Sequence, residues 1–268
     1  MESLAKRIFK KLLPFRMRLL CKKVYYYGNA FSCPICKASV RKLFPAGYRH
    51  DINKKLEVIG SGYRQNDACP VCGSQSRTRL LHRFLVHEIL IENNRKKVLH
   101  FAPEFGLSLM FKQLDGIEYV PADIDPKRYS HLELVERIDA TDVQFPDNTF
   151  DLILCDHVLE HIPDDAKAMA ELQRVLHPDG MAILQVPISA KLEETIEDPT
   201  VTDPKERERR FGQSDHVRIY GQDYYRRLER AGFKVTKFNG VRAWGGQVIK
   251  KYRLDYRETI TIARKITH

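Results

Sequence analysis

Residues 139–162 read DATDVQFPDNTFDLILCDHVLEHI, and an apolar run lies in the middle of this stretch. The run at 151–155 is short and bounded by polar residues, which is typical of a strand that is buried on both faces. Strands of this kind occur in parallel sheets that are covered by helices. Asp156 and His157 follow the run directly. They are therefore predicted to lie at the carboxyl end of a buried strand.

Strands and helices alternate on both sides of this stretch. Strands are predicted at 97–101, 118–122, 137–140, 151–155, 181–187, 233–238 and 259–265, and helices at 106–114, 163–176 and 224–231. This alternation predicts an α/β fold with a doubly wound, mostly parallel seven-stranded sheet. Ligands of such sheets bind at the carboxyl ends of the strands. Asp123 ends the second strand, where a carboxylate can accept both hydroxyls of a ribose, and Asp139 ends the third.

Four of the six cysteines form two pairs, Cys33-Pro-Ile-Cys36 and Cys69-Pro-Val-Cys72. Each Cys-x-x-Cys turn directs two thiolates at one ion, and two turns complete the tetrahedral set that Zn²⁺ prefers. Because four cysteine ligands leave no open position, the predicted zinc is structural. Two disulfides or four reduced cysteines are the alternatives, and the lack of a secretion signal favours zinc.

The positive charge is concentrated in the first third of the chain. Residues 1–97 hold 21 Lys and Arg against 6 Asp and Glu, whereas residues 98–268 hold 24 against 29. A basic front attracts phosphate groups of RNA, of lipids or of an activated sugar. Residues 1–27 predict a basic amphipathic helix, which either lies on an anionic membrane surface or packs on its own protein. No apolar run approaches the roughly 18–20 residues that span a bilayer. We therefore expect a cytoplasmic protein, with peripheral contact at the inner face of the membrane as the alternative for residues 1–27.

The stretch at 139–162 resembles the region after strand three, together with motif four, of class I S-adenosylmethionine-dependent methyltransferases, the broad group often called type 11. HPDGMAILQVP at 177–187 resembles their fifth-strand signature, and ETITIARK at 258–265 resembles their seventh strand. The resemblance covers about residues 97–265. It implies a Rossmann-like methyltransferase fold, an enzyme and S-adenosyl-L-methionine as cofactor. With its cysteine pairs, the chain resembles a bacterial subfamily with an N-terminal zinc knuckle pair, often associated with cell-surface polysaccharide loci.

The resemblance also aligns the first loop. The family places an acidic residue and three glycines there, and this chain has His100, Ala102, Glu104 and Gly106 at those positions. Ala102 is small enough for close approach, and Glu104 offers a carboxylate to the methionine ammonium group, so we expect a divergent cofactor loop. Cofactor binding is therefore predicted for His100, Ala102, Glu104, Gly106, Asp123, Asp139 and Asp156.

Three parts of the chain are predicted. Residues 1–27 form the basic segment, residues 28–95 a zinc-ribbon-like module with a linker helix, and residues 96–268 the methyltransferase domain. The linker helix carries Arg77, Arg79 and Arg83, for which a solvated basic face is the common explanation.

Methyl transfer to oxygen or to a ring nitrogen needs a base, and His157 is the first candidate, with Asp156 as its partner. The alternative is that both residues only begin a helix, with Asp156 as its N-cap. His216 is the second candidate base. His161 is expected to be a buried, hydrogen-bonded histidine rather than a metal ligand with His157.

Residues 188–220 form a long insert, which predicts a lid over the acceptor. Asp215, Arg218 and Tyr220 are predicted to bind the acceptor there, and KERERR at 205–210 is predicted to be a solvated charged helix.

Three functions remain open at this stage. The first is methyl transfer to an oxygen or nitrogen of a small-molecule or glycan acceptor, in cell-surface polysaccharide biosynthesis. The second is an RNA methyltransferase whose zinc ribbon binds RNA. The third is a non-catalytic binding protein that kept the fold.

Overall fold

The computed structural model describes residues 14–91, 95–129, 132 and 134–266. Its helices are α1 Phe15–Tyr25, α2 Asp51–Lys55, α3 Ser76–His87, α4 Phe105–Phe111, α5 Asp165–Val175, α6 Pro204–Phe211, α7 Tyr224–Arg230 and α8 Gly240–Tyr252. Its strands are β1 Tyr27–Cys33, β2 Ala38–Val40, β3 Phe44–Ala46, β4 Val58–Ile59, β5 Arg64–Ala68, β6 Lys96–Phe101, β7 Ile117–Asp123, β8 Glu136–Arg137, β9 Phe150–Asp156, β10 Leu176–Gln185, β11 Ile188–Ser189, β12 Ile196–Glu197, β13 Arg218–Ile219, β14 Phe233–Phe238 and β15 Ile260–Lys265.

Seven strands form the main sheet, in the order β14-β15-β10-β9-β6-β7-β8. The five strands from β10 to β8 are parallel to their neighbours, and β15 runs antiparallel to both β10 and β14. This confirms the predicted doubly wound, mostly parallel seven-stranded α/β fold. The strand order reverses beside β6, because β7 lies on one side of it and β9 on the other. A crevice for ligands is expected at such a switch point.

The centre of the sheet is buried on both faces. Ile153 and Leu154 alternate along β9 and point to opposite apolar layers, and both are fully buried. This is the environment that the continuous apolar run predicted.

Three element predictions differ from the structure. The third strand was expected at 137–140, but β8 ends at Arg137 because the carboxylate of Asp139 accepts from the Thr141 amide and turns the chain. The fifth strand begins at Leu176, which pairs with Phe150, rather than at 181. Helix α8 was missed, since Gly240 and Gly245 weaken its helical signal and Gly245 has a φ of 77°.

The front of the chain folds against the main sheet. The short strand β4 pairs with β11, which belongs to the predicted lid. Arg79 on α3 is 1% exposed and donates hydrogen bonds to the carbonyls of Tyr252 and Arg253. The expectation of a solvated face is therefore wrong for Arg79, whose guanidinium joins the front to the end of α8.

The insert at 188–220 contains β11, β12, α6 and β13. Helix α6 covers the KERERR stretch and begins after Asp203, whose side chain accepts from the Glu206 amide. Its Arg209 and Arg210 pair with Glu206 at the surface, which confirms a solvated charged helix.

None of the described helices has the length and apolar content that a membrane crossing requires. Residues 1–13 of the predicted basic segment lie outside the described residues, and α1 begins directly after Pro14.

Candidate functional site

A cavity of about 450 Å³ opens at the carboxyl ends of β6 and β7. Its wall includes Ala102, Asp123, Asp139 and His157. The structure thus brings together four of the side chains singled out from the sequence. They meet because parallel strands present their carboxyl ends at one edge of the sheet.

Two carboxylates mark the ends of this cavity. Asp123 is 8% exposed, and its oxygens accept from the Asp125 amide and the Tyr129 hydroxyl. Asp139 is held by the amide and hydroxyl of Thr141. Both side chains therefore have fixed orientations and lone pairs left for further donors.

The first loop uses its residues differently from the prediction. His100 is fully buried and does not line the cavity; its Nε2 lies 2.9 Å from Glu104 Oε2 and its Nδ1 lies 2.9 Å from the Tyr119 hydroxyl. Ala102 has a φ of 47°, in the left-handed region where glycine is favoured. Gly106 packs under the cysteine turn, because a Cβ there would lie 2.6 Å from Ile35 Cγ2. Gly106 thus allows close contact with residues 28–95, which are called the front module below. His100 supports the loop from behind.

Two carboxyl groups, the partly buried Glu104 and the buried Asp156, lie behind the loop. Burial alone would raise the pKa of Glu104, but its bond with His100 lowers it to about 2. Burial, followed by the charge of Glu104, raises the pKa of Asp156 well above its usual range. Within the described residues, Glu104 Oε1 and Asp156 Oδ1 are buried without a hydrogen-bond partner. The orphaned carboxylate oxygen of Glu104 fits a ligand that carries an ammonium group.

His157 lies between two cavities. Its φ is 58° and its amide donates to the Gln185 carbonyl, so the backbone holds the ring at the end of β9. Its Nδ1 lies 3.2 Å from Glu160 Oε1, whereas its Nε2 lies 3.8 Å from Asp156 Oδ1, beyond hydrogen-bond reach. The carboxylate nearer to the ring is therefore that of Glu160 rather than that of Asp156. Burial, followed by the charge of Arg77, lowers the pKa of His157, so the ring is neutral at neutral pH.

The alternative in which these residues begin a helix is not what the structure shows. Asp156 belongs to β9, and the 3₁₀ turn Leu159–His161 follows with Val158 as its N-cap. The next helix, α5, is capped by Asp164.

A second cavity of about 500 Å³ lies on the other side of His157. Its lining comes from the front of the chain, through Tyr48, Gly60 and Arg77, and from the main domain, through His157 and His161. Gly60 has a φ of 84°, and a Cβ there would lie 3.4 Å from His157 Nε2. Arg77 Nε lies 3.7 Å from Asp156 Oδ2. Sequence reasoning missed Tyr48 and Gly60, and the only signal for Arg77 was the cluster of arginines on the linker helix.

Two lid residues that were predicted to bind the acceptor, Arg218 and Tyr220, are buried and make hydrogen bonds within the protein. Arg218 is 3% exposed and donates to the carbonyls of Leu159 and Pro163 and to Glu197. The Tyr220 hydroxyl is buried and donates to Asp165. Both side chains therefore fasten the insert to the domain, and the geometry does not support the expectation that they bind an acceptor.

His216 and Asp215 lie beside the 3₁₀ turn. His216 is 3% exposed, and burial lowers its pKa to about 4. His161 donates through Nδ1 to the Asp215 carbonyl at 3.2 Å, so it is hydrogen-bonded as expected, but its side chain is 33% exposed and the expectation of burial is wrong. His216 does not line either cavity, so it is not positioned to act as the base.

The four paired cysteines converge in the front module. Cys33 Sγ and Cys72 Sγ lie 3.7 Å apart, as do Cys36 Sγ and Cys69 Sγ, and all four sulfurs lie within 4.8 Å of one another. A tetrahedral zinc with Zn–S bonds of about 2.3 Å separates its sulfurs by about 3.8 Å. The donor set therefore fits Zn²⁺, and the separations are too long for disulfides, whose sulfurs lie about 2.05 Å apart.

Comparison with known proteins finds a family model that matches the central part of the chain. Residues 103–184 match the family model described as a methyltransferase domain. The matched residues lie within residues 97–265, the part of the chain that resembles methyltransferases.

The similarity to curated proteins covers only part of this chain and part of each relative. The chain is 44% identical over 57 residues to a demethylmenaquinone methyltransferase of Staphylococcus carnosus, covering 21% of this chain and 23% of the relative. It is 30% identical over 155 residues to a tRNA U34 carboxymethyltransferase of Nautilia profundicola, covering 57% of this chain and 45% of the relative. The chain thus spans less than half the length of either relative.

Among solved structures, the [4+2]-cyclase SpnF superposes with a TM-score of 0.50 at 16% identity, over 83% of this chain and 100% of that chain. This similarity shows the fold.

Proposed function

We propose that the protein transfers a methyl group from S-adenosyl-L-methionine to an oxygen or nitrogen of an acceptor bound between the front module and the main domain. The observation that carries the proposal is the position of His157, which lines both the cavity at the strand ends and the cavity under the front module. One cavity would hold the cofactor and the other the acceptor, with the base between them.

The cofactor would supply a methyl group on a sulfonium sulfur, and the neutral thioether that contains this sulfur would be the leaving group. Asp123 would accept from the ribose hydroxyls, and Asp139 from the exocyclic amine of adenine. Glu104 would accept from the methionine ammonium group through the oxygen that lacks a partner, with Asp156 beside it. Ala102 would let the backbone approach the ligand. His100 and Gly106 would act one layer behind, by supporting this loop.

His157 would remove the acceptor proton. The Nδ1 atom of the ring lies 3.2 Å from Glu160 Oε1, and a proton held on that side would leave the Nε2 lone pair as the basic site. Because burial lowers the pKa of His157, the ring is unprotonated and ready to accept a proton at neutral pH. The protein's further contribution is alignment, since displacement at a methyl carbon requires the acceptor atom in line with the sulfur.

The acceptor cavity favours a polar small molecule or a glycan. Gln75, Arg77, Glu160 and Gln213 contribute polar groups to its lining, and the Tyr48 ring is 59% exposed at its wall. Polar groups that converge beside one aromatic face fit a hydroxylated ring. We propose the methylation of a sugar unit in cell-surface polysaccharide biosynthesis.

An RNA acceptor is the second candidate. Two observations favour it, the positive charge of residues 1–97 and the relative that is named as a tRNA-modifying enzyme. Binding to phosphates would then depend steeply on salt, and nucleic acid would copurify with the protein.

We propose structural Zn²⁺ at Cys33, Cys36, Cys69 and Cys72. The ion would fix the turn that contains Ile35, and through Ile35 the start of α4 under it. The module would thereby shape the loop that approaches the cofactor.

Calorimetric titration with S-adenosyl-L-methionine and S-adenosylhomocysteine tests the cofactor site. We expect affinity in the micromolar range, lost in Asp123→Ala and kept in the control Asp179→Ala, whose side chain is 96% exposed. If the unaltered protein binds neither ligand, the enzyme proposal fails and a non-catalytic binding protein with this fold becomes the better description.

A further inference from the structure

One buried carboxylate near the acceptor cavity lacks partners. Glu160 is 1% exposed, and within the described residues neither of its side-chain oxygens has a hydrogen bond of good geometry. His157 Nδ1 approaches Oε1 at 3.2 Å, and Oε2 is left with nothing. A buried carboxylate without hydrogen bonds is costly, and a bound cation would offset that cost.

Two imidazoles face the same point. His161 and His216 each offer a ring nitrogen, and these nitrogens and a Glu160 oxygen all lie within 4.8 Å of one another. Ligand atoms bonded at about 2.1 Å to one ion lie within about 4.2 Å of each other, so small side-chain rotations bring all three to bonding distance. The backbone keeps the two segments together, because the Val217 amide donates to the Glu160 carbonyl at 3.0 Å.

The hydrogen bond of His161 fixes the tautomer that a metal needs. Its Nδ1 lies 3.2 Å from the Asp215 carbonyl, which only accepts, so Nδ1 carries the proton. The Nε2 lone pair is then free to bind an ion. Metal-binding histidines typically donate their second ring nitrogen to a carbonyl in this way.

We propose that Glu160, His161 and His216 bind a divalent first-row transition-metal ion at the junction of the two cavities. Two imidazoles and one carboxylate are donors that suit Mn²⁺, Fe²⁺, Co²⁺ and Zn²⁺. This site differs from the four-cysteine site, whose closed thiolate set selects zinc and leaves no open position.

Three protein ligands leave open positions on the ion. Glu160 and His161 line the acceptor cavity, and His161 also lines the cavity at the strand ends. An acceptor hydroxyl bound to the ion would have a lowered pKa, as metal-bound water does. It would lose its proton to His157 and use the freed electron pair on oxygen to form the bond to the methyl carbon as the bond to sulfur breaks, with no change in the oxidation state of the ion. Only this role rests on the proposed methyl transfer; the binding of the ion does not.

Titration with Mn²⁺, followed by electron paramagnetic resonance of the free ion, tests the site. The full chain is used with zinc retained in its cysteines, after a mild chelator wash. Mn²⁺ prefers oxygen and nitrogen donors, so it reports this site rather than the thiolates. We expect one Mn²⁺ per chain, and a loss of affinity of at least about 10-fold in His161→Ala and in Glu160→Gln, since even outer-shell contacts are worth that much.

The matched control is His87→Ala, which removes an exposed histidine from α3 and should bind as the unaltered chain does. His161 is 33% exposed, so its truncation leaves the fold intact, which circular dichroism and zinc content verify. The proposal is overturned if the unaltered chain binds no Mn²⁺, or if both site variants bind it with unchanged affinity. A chain that binds Mn²⁺ but not S-adenosyl-L-methionine would keep the ion site and lose the methyl-transfer proposal.

Discussion

At the scale of single residues, the proposed chemistry depends most on the side chain of His157. Its ring stands between two cavities, and its Nδ1 faces Glu160. The sequence located His157 at a strand end, but it assigned the wrong carboxylate as partner, because Asp156 is adjacent in sequence while Glu160 approaches only through the 3₁₀ turn.

Replacing His157 by alanine should abolish most of the methyl transfer without affecting the cofactor. General base catalysis typically contributes about 10²–10⁴-fold, so we expect turnover to fall at least ~100-fold. The dissociation constant for S-adenosylhomocysteine should change little, because the groups proposed to hold that ligand stay in place. Turnover of labelled methyl groups and calorimetry measure the two quantities. Unchanged turnover would show that His157 is not the base.

Ala102 occupies a backbone conformation that glycine would adopt more readily. Its φ of 47° costs an L-residue roughly 1–2 kcal/mol relative to the right-handed region. Ala102→Gly should therefore raise the free energy of unfolding by about 1 kcal/mol, after the entropy of the unfolded glycine is deducted. Urea denaturation measures this change. A destabilised variant would show that the Ala102 methyl group packs productively in the loop.

At the scale of elements, the cysteine turns and the first loop form one unit. The turn that contains Ile35 covers Gly106 at the start of α4, while Arg79 and Arg77 on α3 reach into the main domain. The resemblance assigned Gly106 to the cofactor, whereas the fold uses it for contact between modules.

Removing a cysteine ligand should disrupt this unit. In Cys72→Ser we expect zinc content to fall from one equivalent toward zero and the melting temperature to drop, because the free energy of metal binding is part of the free energy of folding. Metal analysis and a thermal melt measure both. Cys21→Ser, which alters an exposed cysteine outside the cluster, is the control. Unchanged zinc and stability in Cys72→Ser would contradict the zinc proposal.

The turn at Gly60 links the front module to the base. A methyl group there would contact His157 Nε2 at 3.4 Å, and the φ of 84° disfavours any side chain. We expect Gly60→Ala to raise the KM for the acceptor and to lower the free energy of unfolding by about 1 kcal/mol, with cofactor affinity unchanged. Gly62→Ala, which has a φ of 91° but open space around its Cβ, separates strain from contact. Equal effects of the two substitutions on KM would argue against a role of the Gly60 turn in acceptor binding.

At the scale of the whole molecule, charged groups of the front module and of the C-terminal part meet in one buried cluster. Arg64 of the front module pairs with Asp67 of its own strand and with Asp255, which follows α8. Glu258 lies in this cluster and is 5% exposed. The seam between the two parts is therefore sensitive to pH.

Burial raises the pKa of Glu258 from 4.5 to about 7, although Arg64 and Arg77 oppose the shift. The folded protein thus holds a proton there that the unfolded chain releases. The contribution of Glu258 is fully present below pH 4.5 and is lost as pH rises through about 7. Between those limits the free energy of unfolding should fall by about 3 kcal/mol, and Glu258→Gln should remove that part of the pH dependence. Denaturant titrations at pH 5 and pH 8 measure the difference, and identical slopes in the two proteins would contradict the assignment.

The amino-acid sequence alone predicted the sheet and the convergence of the two cysteine pairs, and its resemblance to methyltransferases agrees with the family match at residues 103–184. Apolar runs, helical spacing and Cys-x-x-Cys turns are local signals, and they report local structure directly. The strand ends at Asp123 and Asp156 followed from the same signals. The contacts of these residues could be seen only in the folded chain. Gly60 lies beside His157, and Tyr48 lines the same cavity as His157. Glu160 lies near His161 and His216, and Gly106 lies under Ile35, because packing joins segments that are far apart in the chain. No local pattern encodes such contacts, since they depend on how whole elements pack against one another.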